Sequence, residues 1–298
     1  MRILVTGASG FIGHSVVRHL VLGNYEILAL TRESHPPSGH EVKWSTADLG
    51  RPESYRSVVQ AFAPHAVIHL AWMDIPDFSL STSLENLRHS LSFLEFVLQT
   101  SSCRKILVAG SCFELDMPNG ECSEDGKCSA NNHFAWAKIA LRHWLEMEAR
   151  KKQVTFGWMR IFYAYGPGQR RGSLLPTILE KLQSNQLPTI RTPYDATDFV
   201  YVDDIADGFI RAIERDIPSG VYHLGSGLST PAWKLCREAE KVTLGTSTLT
   251  EDLLKREVPR QMVNFWAKIE RAHELLGWEP KTSLDDGIVK TWKWMQSG

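Results

Sequence analysis

The sequence predicts an α/β fold, a doubly wound parallel sheet with a smaller C-terminal lobe, and three observations predict it. Short apolar runs alternate with longer helical stretches through the first half of the chain. A glycine-rich turn joins the first run to the first helical stretch. The alternation then breaks after Ile161 at Ala164-Tyr165-Gly166-Pro167-Gly168. Strands buried on both faces read as continuous apolar runs, and their alternation with helices is the pattern of a parallel sheet covered on both sides.

Taken in order, the strands are expected at Arg2–Thr6, Tyr25–Thr31, Ala66–Leu70, Lys105–Gly110 and Thr155–Ile161. Helices are expected between them near Phe11–Leu22, Pro52–Phe62, Ser83–Thr100 and Asn132–Lys151. Beyond the turn-rich break the pattern gives a helix near Leu174–Ser184 and two return strands, Asp198–Val202 and Val221–Leu224. The tail reads as helical at Trp266–Gly277 and Leu284–Trp292. Residues 1–165 with the return segment 198–225 would form the larger domain, and 166–197 with 226–298 the smaller lobe. A chain that leaves and re-enters a sheet in this way places its second lobe over the carboxyl edge, where open α/β sheets bind ligands.

Bulk composition narrows the classes. With 33 basic and 34 acidic side chains the formal charge is −1, which offers no electrostatic footprint for nucleic acid or an anionic membrane. The five cysteines are odd in number and show no CxxC pair, as expected of reduced cytoplasmic thiols rather than a disulfide framework or a metal site. Cys122 and Cys128 are separated by a five-residue gap, with no second pair to complete a zinc set. The opening MRILVTG is unlike a secretory signal, and no 18-residue apolar stretch is present for a membrane span. These features place the chain in the cytoplasm as an expectation.

The first chemistry-bearing segment is Thr6-Gly7-Ala8-Ser9-Gly10-Phe11-Ile12-Gly13. Gly7 permits a tight turn, Gly10 lets backbone amides approach a diphosphate, and Gly13 lets helix pack on strand, so that the positive helix end faces the anion. Ser9, Phe11 and Ile12 complete the expected set on the same turn. Arg32 ends the second strand; an arginine there favours a 2′-phosphate, whereas a carboxylate such as its neighbour Glu33 would favour a ribose hydroxyl. The expected cofactor is therefore NADP, with NAD as the alternative.

The TGxxGxxG spacing resembles the short-chain dehydrogenases/reductases, and further motifs follow in that family's order. They are Asp48-Leu49, His69-Leu70-Ala71, Asn86, Arg160 through Gly166-Pro167, Asp198-Phe199-Val200-Tyr201-Val202-Asp203-Asp204, and Leu275-Leu276-Gly277-Trp278-Glu279-Pro280. Together they span essentially the whole chain and resemble the extended branch, the NAD-dependent epimerase/dehydratase family, which remodels nucleotide-linked sugars. The resemblance implies a Rossmann-type sheet and extends the cofactor set to Asp48, Leu49, Leu70, Ala71, Trp72, Lys138 and Ile161. It also implies homodimerisation through Ser83–Thr100 and Asn132–Lys151.

In the resembling family a Ser/Thr, a Tyr and a Lys four residues later carry the proton chemistry. Ser111 matches the first and Lys138 the third, but the tyrosine position is Phe134, which has no proton to give. Three readings stay open: an engineered or weakened enzyme; an enzyme using another acid, with His133, Tyr163 or Cys112 as candidates; or a non-catalytic NAD(P)-binding regulator. Four-residue spacing stacks Phe134 and Lys138 on one helix face, while His133 points about 100° away.

Gly110-Ser111-Cys112-Phe113-Glu114 resembles the GSxFE segment of CDP- and dTDP-4-keto-6-deoxy-sugar reductases. The family's dehydratases carry an Asp-Glu pair where this chain has Cys112-Phe113, so elimination of water lacks its acid and base. Ser111, Cys112 and Tyr163 are expected at the substrate. Thr197 replaces an arginine that neutralises the diphosphate in the family, and Arg256 and Arg260 are candidates to supply that charge. The expected activity is NADP-dependent reduction of a nucleotide-linked 4-keto-6-deoxy sugar, the alternatives being a 4-epimerase with tightly held NAD and the regulator above.

Overall fold

The computed structural model describes residues 1–33, 41–100, 102–116, 119–255 and 257–297. The chain begins β1 (Arg2–Thr6), α1 (Phe11–Leu22), β2 (Glu26–Thr31), β3 (Val42–Thr46), α2 (Arg56–Phe62), β4 (Ala66–His69) and α3 (Leu80–Leu98). It continues through β5 (Lys105–Ser111), β6 (Gly120–Cys122), α4 (His133–Lys152), β7 (Thr155–Ile161), β8 (Tyr163–Tyr165) and α5 (Leu174–Gln183). Then come β9 (Ala196–Thr197), β10 (Phe199–Tyr201), α6 (Val202–Glu214), β11 (Gly220–Leu224), β12 (Thr230–Pro231) and α7 (Ala232–Leu244). The last elements are α8 (Glu251–Leu254), β13 (Phe265–Ala267) and α9 (Leu284–Ser297).

Seven strands form one parallel sheet in the order β11-β7-β5-β4-β1-β2-β3. The chain order reverses between β1 and β4, the position where a crevice opens at the carboxyl ends of the strands. The sheet is buried on both faces because its strands are apolar on both: Ile3, Leu4 and Val5 of β1 are all fully buried, with Ile3 and Val5 in one core cluster and Leu4 in the other. Helices α1 and α6 pack together over the first cluster and α3 and α4 over the second. A third core, built around Ile178, Leu179, Leu235 and Ile288, belongs to the smaller lobe.

The strands and helices expected in the first half lie where the pattern puts them, with ends shifted by no more than four residues. Two expectations are corrected. The segment Asp198–Val202 does form a strand, but Phe199–Tyr201 pairs in parallel with Tyr163–Tyr165 beside the main sheet, and only β11 rejoins it. The tail segment Trp266–Gly277 is not one helix. Phe265–Ala267 pairs with Gly120–Cys122, its outer residues buried and Trp266 turned outward, which is the period of a strand; only residues 270–276 are helical, with a π-turn over Ala272–Leu276.

Two clasps hold the lobe onto the sheet. The Asp198 carboxylate is fully buried and accepts from Ser226 N (2.6 Å) and Oγ (2.7 Å), Gly227 N (3.0 Å) and Ala267 N (3.0 Å), so it ties three segments together. Trp278, also fully buried, donates its Nε1–H to the Asp204 carbonyl at 2.8 Å, while the Asp204 carboxylate accepts from Thr282 N. No helix among the described residues is long and apolar enough to cross a membrane.

Candidate active site

At the carboxyl end of β1 the glycines are set by backbone proximity. Gly7 has φ +66°, and a Cβ there would lie 2.7 Å from Ala71 N; a Cβ on Gly13 would lie 2.0 Å from the Gly7 carbonyl. The first turn of α1 is capped by Gly10 without any side-chain hydrogen bond, leaving its N–H groups open toward the cleft. A glycine cradle with uncapped donors fits a dinucleotide diphosphate.

The cleft beside this turn is lined by Gly7, Ser9, Gly10, Arg32, Asp48, Leu49, Leu70, Ala71 and Trp72 from the expected set, joined by Thr31, Glu33, Met73, Asn86 and His89. Ser9 Oγ meets Thr31 Oγ1 at 2.8 Å, closing the turn onto the end of β2. Arg32 and Glu33 both stand exposed on the rim. Asp48 accepts from Gly50 N at 2.8 Å, which shapes the floor. Asn86 accepts from Met73 N at 2.6 Å and donates to the Met73 carbonyl, pinning the chain that follows Ala71. The remaining expected cofactor residues sit elsewhere: Phe11 lines a neighbouring groove with Tyr201 and Trp294, Ile12 and Ile161 pack into the cores, and Gly13 holds helix to turn.

Beneath the cleft, His69 bridges Thr6 Oγ1 (2.8 Å) and Ser90 Oγ (3.0 Å) and stacks on Phe93. Burial, with Lys138 nearby, lowers its pKa from 6.5 to about 3. His223 is lowered to about 3 as well, by burial and by the Arg160 guanidinium. As pH falls below 6.5 the unfolded chain takes up two protons that the folded chain refuses, so stability is complete above that value and lost below it. The expected slope is about 1.4 kcal/mol per pH unit for each histidine. Urea midpoints at pH 7.5, 6 and 5 check this; a midpoint flat across that range would mean that neither ring is held neutral.

Ser111 ends β5 and heads a short 3₁₀ turn, Cys112–Glu114. Its Oγ accepts from Phe113 N at 3.2 Å, and Glu114 reaches back to accept from Ser111 N at 2.7 Å. The cap uses an oxygen lone pair, so the hydroxyl proton stays free to be donated. Glu114 is fully buried, accepting from Trp158 Nε1 (2.9 and 3.0 Å) and pairing with the equally buried Arg160 at 3.3 Å. Gly110 is required here because a Cβ would lie 2.2 Å from that indole nitrogen.

Lys138 projects from α4, donating to the Ala109 carbonyl at 2.8 Å with its Nζ 4.0 Å from the Trp72 ring centroid. Burial lowers its pKa from 10.5 to about 7, partly offset by Glu114. Phe134, 5% exposed, lies one turn earlier. Its ring stacks on Phe78 at 4.9 Å and meets Trp72 and Phe113 edge-on at 5.5 and 6.2 Å. Phe78 was not foreseen, since nothing in its loop has a period; Phe113 was visible only as a letter of the GSxFE segment.

Of the other candidates, Cys112 is 3% exposed and burial pushes its thiol up. His133 is exposed as the first residue of α4, and Trp136 faces outward. Tyr163 is half-buried, edge-on to Phe113 at 6.0 Å. Arg260 is an exposed loop residue away from the cleft lining, and Arg256 falls outside the described residues. Cys122 is buried, whereas Cys128 lies against Arg142 and Arg160.

Comparison with known proteins agrees with this arrangement. A model described as NAD dependent epimerase/dehydratase family matches residues 3–260. UDP-glucose 4-epimerase of Bacillus subtilis (strain 168) is 25% identical, over 100% of this chain and 97% of its own. A dTDP-4-dehydro-6-deoxyglucose reductase of Escherichia coli is 26% identical, over 97% and 95%. Among solved structures, UDP-glucose 4-epimerase with UDP-glucose from Thermotoga maritima superposes with TM-score 0.85 at 22% identity, covering 100% of this chain and 99% of that one.

Proposed function

Because the chain belongs to the NAD dependent epimerase/dehydratase family, we propose that it reduces a nucleotide-linked 4-keto-6-deoxy sugar with NADPH. The observation that carries the reading is Arg32 on the rim of the cleft, at the end of a strand that finishes in the buried, uncharged Thr31. Guanidinium pairs with phosphate through charge-assisted hydrogen bonds, which suits a 2′-phosphate. The likeness of Gly110–Glu114 to the reductase segment supports the same direction.

The bound nicotinamide cofactor would supply the hydride for C4 of the sugar. The chain's own groups do the rest. The Gly7–Gly13 turn and the open end of α1 would hold the diphosphate, and Lys138, fixed by Ala109 and Trp72, would hold the nicotinamide ribose. Ser111 would donate a hydrogen bond from its free hydroxyl to the ketone oxygen as charge develops there.

Nucleotide titration of protein stripped of bound cofactor tests the assignment. NADPH is expected to bind at least about tenfold more tightly than NADH, and Arg32→Glu to erase the preference. Equal affinities would sink the NADPH reading. A second reading, 4-epimerisation with retained NAD, is favoured by the epimerases among the similar proteins. Finding stoichiometric NAD in the purified protein, with C4-inverted product and no net cofactor consumption, would select it.

A further inference from the structure

Phe134 removes a phenol from helix α4, yet a phenol stands on the opposite wall. Tyr163 begins β8 two residues beyond the end of β7, and the last residue of β7, Ile161, is in register with Ser111 of β5. The carboxyl ends of these neighbouring strands therefore bring Ser111 and Tyr163 to one edge of the sheet. Phe113 joins the two walls, with Tyr163 edge-on at 6.0 Å on one flank and Phe134 edge-on at 6.2 Å on the other. Of the three alternative proton sources, Cys112 is sealed in the core and His133 lies outside this cluster at the exposed start of α4. Tyr163 alone combines contact with the cluster and access from solvent.

We propose that Tyr163 is the catalytic acid of this chain, donating from Oη to the C4 ketone oxygen that Ser111 orients. The proposal rests on the reductase reading above. As the carbonyl carbon takes hydride from NADPH, which leaves as NADP⁺, the Tyr163 O–H bond breaks and its proton passes to the carbonyl oxygen, giving the C4 hydroxyl. The phenolate left behind regains a proton from water. Burial raises the phenol's pKa, with Cys112 and Asp195 adding to the effect, so the group stays protonated at neutral pH.

The test measures NADPH oxidation with dTDP-4-keto-6-deoxyglucose as the probe for the wild type, Tyr163→Phe, Phe134→Tyr and the double variant. Tyr163→Phe is expected to lower kcat at least about tenfold. Its NADPH affinity and KM should stay within twofold, which shows an intact fold and pocket. The double variant is expected to recover turnover through the phenol on α4. Unchanged kcat in Tyr163→Phe, or a silent wild type beside an active Phe134→Tyr, would overturn the role of Tyr163 while leaving the reductase reading standing. Silence in all four proteins would overturn that reading and the proposal together.

Discussion

A Phe134→Tyr chain is expected to reduce a nucleotide-linked 4-keto sugar about a hundredfold faster than the wild type, within the range that a placed general acid contributes. The new hydroxyl would extend from a ring already held by Trp72, Phe78 and Phe113, so its direction is set before substrate arrives. The Lys138 Nζ lies 5.8 Å from the Phe134 ring centroid, close enough for its charge to ease loss of the phenolic proton. With the lysine pKa near 7, the gain should be larger at pH 6 than at pH 9, where the ammonium has lost its proton. Steady-state kcat across that range is the measurement, and a gain that ignores pH would detach Lys138 from the effect.

The largest loss of stability is expected from Glu114→Ala. Both members of the Glu114–Arg160 pair are fully buried, and deleting the carboxylate strands a guanidinium whose other neighbours are His223 Nε2 at 3.0 Å, the Glu124 carbonyl and Cys128 Sγ. Breaking such a pair costs about 3–5 kcal/mol, a large part of the margin of an ordinary domain. The same change frees Trp158 Nε1 and the Ser111 amide, so the serine should lose its fixed direction as well. Denaturant unfolding of Glu114→Ala, Arg160→Met and the double variant separates the parts. The double variant should be more stable than the sum of the two losses predicts, because neither charge is left alone. Strict additivity would mean that the pair contributes no coupling.

Where physical causes are local, the sequence was readable. Arg2–Thr6, Phe11–Leu22 and Thr155–Ile161 coincide with observed elements because each is a single apolar run or face bounded by its own turn chemistry. The cradle at Gly7 was legible for the same reason, as its requirement is written into three glycines and one strand end. Val42–Thr46 was missed because an edge strand need bury little, and VKWST carries no apolar run. Trp266 was misread because its partner, Gly120–Cys122, lies far away in the chain. The aromatic wall shows the limit most clearly. Phe78, Phe113, Phe134 and Tyr163 come from four separate segments, and only the folded sheet makes them neighbours. Ser111 was recognised by position, but that its cap and its proton are compatible followed only from the hydrogen bonds.

The third core has a bearing on the order in which the molecule can assemble. Its side chains are drawn from Tyr165 through Ile190, from Phe199 to Val202, from Ala232 to Ala239, from Leu253 and finally from Ile288, and β11 departs to the main sheet between these contributions. A growing chain could therefore complete the seven-stranded sheet once Leu224 had left the ribosome. The pocket-forming lobe would still wait some sixty residues for α9, where Gly287 leaves just the space that the Tyr165 hydroxyl fills. Synthesis would thus complete the glycine cradle and its sheet before the smaller lobe's core can close, and an interrupted chain would carry the first without the second.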